Sequence, residues 1–225
     1  MGVLLNEMHA IDIETVSQGA VADRYTEHIE VKLGNIKDPE KIKDKMNEAK
    51  AKARNSHGLS WVTGKVWCVS VTNINSGESA SFLDYTEEAV LNVLSGHLNK
   101  VNSGMAMLWA KSGKHFDYPF LIGRYLANNL PVPAILRDSK KLKDIDDLLS
   151  FSQSCTQRDK LSAYAHALGI EGKSLSGGMV QGLYNKSLVS TSEDRDKIIK
   201  EVTMYCEGDT RIVAEFVRRY YGKDH

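Results

Sequence analysis

The sequence predicts an α/β domain built on a mixed sheet. Three observations carry this. Strand-like segments come first, two of them joined as a hairpin. Later strands alternate with helical segments, and a long amphipathic helix closes the chain from about Glu193 to Tyr221. The 225 residues suit one domain covering 1–225, and 42% hydrophobic residues are enough for a substantial core. Basic and acidic residues balance at 29 each, which excludes global attraction to a polyanion but allows local patches.

Met8 to Glu14 reads as the first strand. Its period of two sets Asp12 and Glu14 on one face and Ile11 and Ile13 on the other. Asn35 to Asn55 is a charged helical insertion, opened by Asp38 as N-cap and Pro39 in the first turn. Its narrow stripe, Ile42, Met46, Ala49 and Ala53, suits a solvated helix packed on the body, and a basic wall guiding a nucleic-acid strand is the competing reading. Lys65 to Thr72 and Glu78 to Asp84 are strands two and three, with a turn at Asn75-Ser-Gly. Thr86 opens a helix to about Lys100, capped by its hydroxyl, with Glu87 and Glu88 in the first turn. Met105 to Ala110 is nearly all apolar and belongs at the sheet centre. A helix follows over Phe116 to Asn128. Asn129 to Arg137 is a connector with room for a short fifth strand, and two short helices cover Asp144 to Phe151 and Asp159 to Leu168. The glycine-rich stretch Gly169 to Gly182 reads as a loop.

The three cysteines form no C-x-x-C pair, and the histidines show no ligand spacing. That argues against a disulfide framework or a zinc site and fits a reducing cytoplasm. The apolar run Val3 to Leu5 is too short for a signal peptide or membrane span, so a soluble intracellular protein with no membrane partner is expected.

The closing helix carries its apolar stripe on Ile198, Val202, Tyr205, Ile212, Phe216 and Tyr220, and Asp209 falls on that stripe. An inward carboxylate is costly unless it is paired, and no Lys or Arg lies three or four residues away on that face. A cap or core hydrogen bond would satisfy it, and so would a cation shared with other carboxylates. Partner acids are available at element ends: Asp12 and Glu14 on the first strand, and Asp117 after the buried fourth. Sites in open α/β sheets gather at the carboxyl ends of strands. Four carboxylates would be balanced by two divalent cations, and oxygen-only ligation favours Mg²⁺ or Mn²⁺ over zinc. Asp144, Asp146 and Asp147 form another acidic cluster, which reads as a capped helix start rather than a third metal site.

Asp-Ile-Glu-Thr at 12–15, His-Phe-Asp-Tyr-Pro-Phe-Leu at 115–121 and Tyr-Cys-Glu-Gly-Asp at 205–209 resemble, in order, the three motifs of the DEDD superfamily of 3′→5′ exonucleases. The third is similar to the tyrosine subclass; the histidine subclass would place His where Met204 stands. Lys160 to Lys173 is similar to the group related to the exonuclease domain of family B DNA polymerases, and the likeness runs from about Met8 to Tyr221. One departure concerns the second motif: the family usually carries Asn a few residues before Phe-Asp, where Ser112 or its neighbours stand here.

The resemblance implies a ribonuclease H-like mixed sheet flanked by helices, standing alone without a polymerase domain. It implies hydrolysis of single-stranded DNA from the 3′ end, with two divalent cations, Mg²⁺ or Mn²⁺. Asp12 would bridge both ions, Glu14 and Asp209 would complete the water-activating site, and Asp117 would hold the second ion. Tyr205 would orient the water, since a phenol with an ordinary pKa near 10 is a poor base. Thr15 would contact the terminal 3′-hydroxyl. Phe116 and Phe120 are candidates for stacking on bases, with core packing as the competing reading. Lys173, with Lys111 and Lys114, could contact phosphates or simply be solvated. His115 reads as a surface or supporting residue beside Asp117. Alternatives are an exoribonuclease or oligonucleotide scavenger, a binding module that no longer cleaves, and an endonuclease or transposase of the same fold.

Overall fold

A five-stranded sheet organises the computed structural model, which describes residues 5–149, 160–170, 175 and 177–222. Its order is β3-β2-β1-β4-β5. Strand β1 (Met8–Ser17) pairs antiparallel with β2 (Gly64–Asn73) and parallel with β4 (Met107–Ala110). The hairpin partner of β2 is β3 (Ser79–Leu83), and β5 (Leu142–Asp144) extends β4 in parallel. The mixed α/β sheet predicted from the sequence is therefore the observed one. The fifth strand lies later than the segment 129–137, which forms the short helix α5 (Ala134–Arg137) instead.

Alternation along β1 assigns its side chains to two cores. Ile11 and Ile13 join Val69, Val71 and Leu108 beneath α3 (Glu87–Val101) and α4 (Asp117–Ala127). Met8 and Ala10 face the other way, against α7 (Leu161–Leu168) and α9 (Ser192–Tyr221). Between the pairs Glu14–Cys68 and Thr15–Val66 the register skips Trp67. This β-bulge puts both Trp67 and Cys68 into the core under α8 (Gly177–Val189) and α9, and β1 continues beyond Glu14 to Ser17.

Helix α9 lies across the sheet and is held in rotation by polar contacts. The Thr72 and Thr210 hydroxyls lie 2.6 Å apart, and Ser81 Oγ donates to Glu207 Oε1 at 2.8 Å. On the opposite face, Glu87 accepts from Val66 N at 2.7 Å and forms a buried ion pair with Arg124, again at 2.7 Å. Arg124 also donates to the Trp61 carbonyl at 2.8 Å.

Several boundaries depart from expectation. Helix α1 (Ala20–Glu27) was not anticipated, and α8 takes up the last part of the stretch expected as loop, from Gly177 to Gly182; residues 171–174 and 176 of that stretch lie outside the described residues. The insertion forms α2 (Pro39–Ser56), with Asp38 Oδ1 accepting from Glu40 N at 3.0 Å. Thr86 stands at the N-cap of α3, but its hydroxyl makes no cap bond; Asp84 Oδ1 instead accepts from its amide at 2.7 Å. Among the described residues no helix is long and apolar enough to cross a membrane.

Candidate active site

The acids of β1 sit where the sheet meets α9. Glu14 is buried and Asp12 half-buried. Single oxygens of Asp12 and Glu14 and the Sγ of Cys206 lie within 4.8 Å of one another. The alternation that packs Ile11 and Ile13 into one core leaves Asp12 and Glu14 no option but the α9 side.

Asp117 arrives from a turn after β4. That turn is tight: a Cβ on Gly113 would lie 2.5 Å from Ala110 Cβ and 2.9 Å from the Tyr118 ring, so only glycine fits there. Ser112 adopts φ 58°, a left-handed conformation that suits Asn better than Ser and gives the departure in the second motif a physical setting. Its amide donates to Asp144 Oδ1, and its hydroxyl to Asp146 Oδ2. Asp117, the first residue of α4, is 3% exposed. Burial pushes its carboxyl up to about 7, and the nearby Asp144 and Asp209 add to the shift, against hydrogen bonds from its own amide and the amide of Ile13. The Ile13 contact places Asp117 on β1 between Asp12 and Glu14.

Helix α9 supplies Tyr205, Cys206 and Asp209, all buried. Burial raises the Tyr205 hydroxyl well above its usual range, reinforced by Asp209, Glu14 and Asp12. The Cys206 thiol is likewise raised, first by burial and then by Cys68, Asp12 and Glu14. These mutual effects place Asp12, Glu14, Asp117, Tyr205 and Asp209 in one cluster. Crowded carboxylates, three of them buried, are a fitting donor set for divalent cations.

The remaining candidates divide. Thr15 is half-buried at the bulge. Phe116 is half-buried and meets Phe120 at 5.4 Å between ring centres. Phe120 itself is 2% exposed and belongs to the core, so it offers no face for stacking and its candidacy ends there. Lys173 lies outside the described residues. Lys111 pairs with Asp146 at 2.9 Å and Lys114 with Asp147 at 2.6 Å, while His115 is exposed. Burial would raise Asp146, but hydrogen bonds from Lys111 and Tyr164 hold it below the usual range. Asp144 caps the start of α6 (Ile145–Leu149), accepting from Asp146 N at 3.0 Å, as the sequence suggested. Its burial and its influence on Asp117 were not legible there. Cys206 was also missed, although it falls four residues after Val202 and three before Asp209, on the buried face.

Comparison with known proteins agrees with the fold. A family model for the RNase H superfamily matches residues 55–221. Among solved structures, the chain is similar to a family B DNA polymerase from the hyperthermophilic archaeon Pyrobaculum calidifontis, with a TM-score of 0.54 and 13% identity. The match covers 93% of this chain and 24% of the polymerase, and at that identity it speaks for the fold alone. No curated protein matches the chain by sequence.

Proposed function

The chain belongs to the RNase H superfamily, and from that premise we propose that it is a 3′→5′ exonuclease acting on single-stranded DNA and releasing nucleoside 5′-monophosphates. Family and fold support a nuclease. The observation that carries the finer reading is the convergence of Asp12 and Glu14 from β1, Asp117 from α4, and Tyr205 and Asp209 from α9.

In this reading Asp12, Glu14, Asp117 and Asp209 hold two divalent cations, Mg²⁺ or Mn²⁺, which when bound supply Lewis-acid stabilisation and acidify water. Asp12, the half-buried acid of β1, would serve both ions. Tyr205 keeps its proton, because its surroundings oppose the phenolate, so its hydroxyl orients the attacking water rather than accepting a proton. Thr15, beside Glu14, binds the terminal 3′-hydroxyl, and that contact confines cleavage to chain ends. Phe116, half-buried against the core beside Phe120, is the remaining phenylalanine candidate for the last bases. Trp61 adds a further stacking face: it is 46% exposed, and its other side lies over Gly123 of α4. Its segment, with Leu59 and Val62, follows a turn in which Gly58 packs on Thr15 and Val16.

The test is a ladder assay with 5′-labelled DNA and RNA of one sequence, in Mg²⁺, Mn²⁺ or chelator. The expected result is stepwise shortening of the DNA from its 3′ end, dependent on the cation, with circular single strands left intact. Shortening of RNA alone would replace DNA by RNA as substrate. Cleavage of circles would overturn the exonuclease reading, and no cleavage of any strand would overturn hydrolysis.

A further inference from the structure

The acid cluster contains a donor that hard-ion chemistry does not use. Cys206 is fully buried, and its Sγ lies 3.5 Å from both the main-chain oxygen and Oδ2 of Asp12. A second thiol stands behind it: Cys68 is the β2 residue paired with Glu14, and it is in hydrogen-bond contact with Cys206. Two thiols on adjoining elements thus back onto the two carboxylates of β1.

The spacing of these donors is informative. Around tetrahedral zinc, a thiolate at about 2.3 Å and a carboxylate oxygen at about 2.0 Å stand about 3.5 Å apart. The Cys206 Sγ to Asp12 Oδ2 separation is 3.5 Å, so that edge of the polyhedron is already in place. Glu14 offers an oxygen for a third vertex from within 4.8 Å. Magnesium takes oxygen donors in an octahedral shell and gains nothing from sulfur. Ions of the zinc class accept thiolate readily.

We propose that Asp12, Glu14 and Cys206 form a binding mode for a thiophilic divalent ion of the zinc class, mutually exclusive with the hard-ion mode and inhibitory to it. On binding, Cys206 releases its proton to solvent and its S–H···O contact is replaced by a sulfur–metal bond, with a fourth position left for water. Asp12 is then committed to the thiophilic ion and cannot bridge the hydrolytic pair. The inhibitory half of this inference rests on the exonuclease reading, while the binding half stands on the donor geometry.

Co²⁺ is the probe, titrated anaerobically into the full chain with the thiols reduced. The expected spectrum has a thiolate-to-cobalt charge-transfer band and visible bands of tetrahedral intensity, both removed by added Zn²⁺. In Cys206→Ser and Cys206→Ala the charge-transfer band is lost and Zn²⁺ affinity falls at least about tenfold. A parent spectrum without the thiolate band overturns the proposal whether or not the variants fold. So does a band unchanged in both folded variants, which would leave Cys206 as a core thiol donating to Asp12. Inhibition of Mg²⁺-supported hydrolysis by Zn²⁺ should weaken at least about tenfold in Cys206→Ser, each protein referred to its own rate. Inhibition equal in both overturns the inhibitory half. A thiolate band in a protein that cleaves nothing would remove the exonuclease reading and keep the site; cleavage without the band would do the reverse.

Discussion

Asp117 concentrates the electrostatic tension of the site in one side chain. The folded state holds its proton up to about pH 7, against a reference value of 3.8 for the free carboxyl. The stability this residue contributes is therefore full below about pH 4 and is lost as pH rises through 7. In chelator, the parent should lose stability between pH 5 and pH 8 relative to Asp117→Asn, by on the order of 2–4 kcal/mol. Melting curves of the two proteins at both pH values check this, and Mn²⁺ at pH 8 should return the loss to the parent alone. Asp12→Asn should fold normally yet slow hydrolysis more than about a hundredfold, beyond what outer partners of a metal ligand contribute. Tyr205→Phe should slow it about 10- to 100-fold with little change in Mn²⁺ affinity, the signature of lost orientation. Single-turnover rates and Mn²⁺ titration separate the two effects. The acids were legible in the sequence because a carboxylate on an apolar stripe, or two at a strand end, breaks the local pattern. Cys206 was not, because a buried cysteine breaks no pattern and only the crossing of α9 over β1 brings its sulfur to Asp12.

Elements were legible where their own residues decide them and obscure where their neighbours do. Strand β1, the β2–β3 hairpin and α9 follow from periodicity, and α9 begins where Thr191 Oγ1 accepts from Asp194 N. Helix α8 starts on two glycines and is held by Val180, Leu183 and Tyr184 packing against Trp67 and Val16. Strand β5 has only three residues, and its pairing with β4 defines it. The Glu87–Arg124 pair was equally hidden, since Glu87 reads as an ordinary acid in a first helical turn. Arg124→Met should destabilise the protein by about 3–5 kcal/mol, because it leaves Glu87 buried without its cation. Adding Glu87→Leu should recover part of that loss, and urea titrations of the single and double variants measure both. The Trp61 segment offers a spectroscopic test at the same scale. Trp67 and Trp109 are buried, so Trp61 dominates quenchable fluorescence. Single-stranded DNA added in chelator should quench it, and Trp61→Ala should weaken binding by about 1–3 kcal/mol.

At the scale of the molecule, α9 joins what the sheet divides. It contributes Ile212, Val213 and Val217 to the core under Met8 and Ala10, and Ile198, Val202 and Tyr205 to the core around Trp67. Between the two lies Asp209, pinned by the Thr72–Thr210 contact one residue on. The helix that carries Tyr205 and Asp209 is thus also a long stabilising element, and it cannot detach without opening two cores at once. Helix α2 is the opposite case, with its apolar stripe half-exposed and its described surroundings limited chiefly to α1 and the turn at His57–Leu59. Local opening should therefore be cheap in α2 and close to global unfolding in α9 and β1. Native-state hydrogen exchange should show α2 amides exchanging well below the global free energy, with Ile198 to Val217 and Ala10 to Glu14 at its limit. Mn²⁺ should then raise protection in β1 and α9 by the full ligand-binding increment while leaving α2 unchanged, because only the former open with the site. Uniform protection of all three segments would mean that the insertion is integral to the cooperative unit and not an appendage to it.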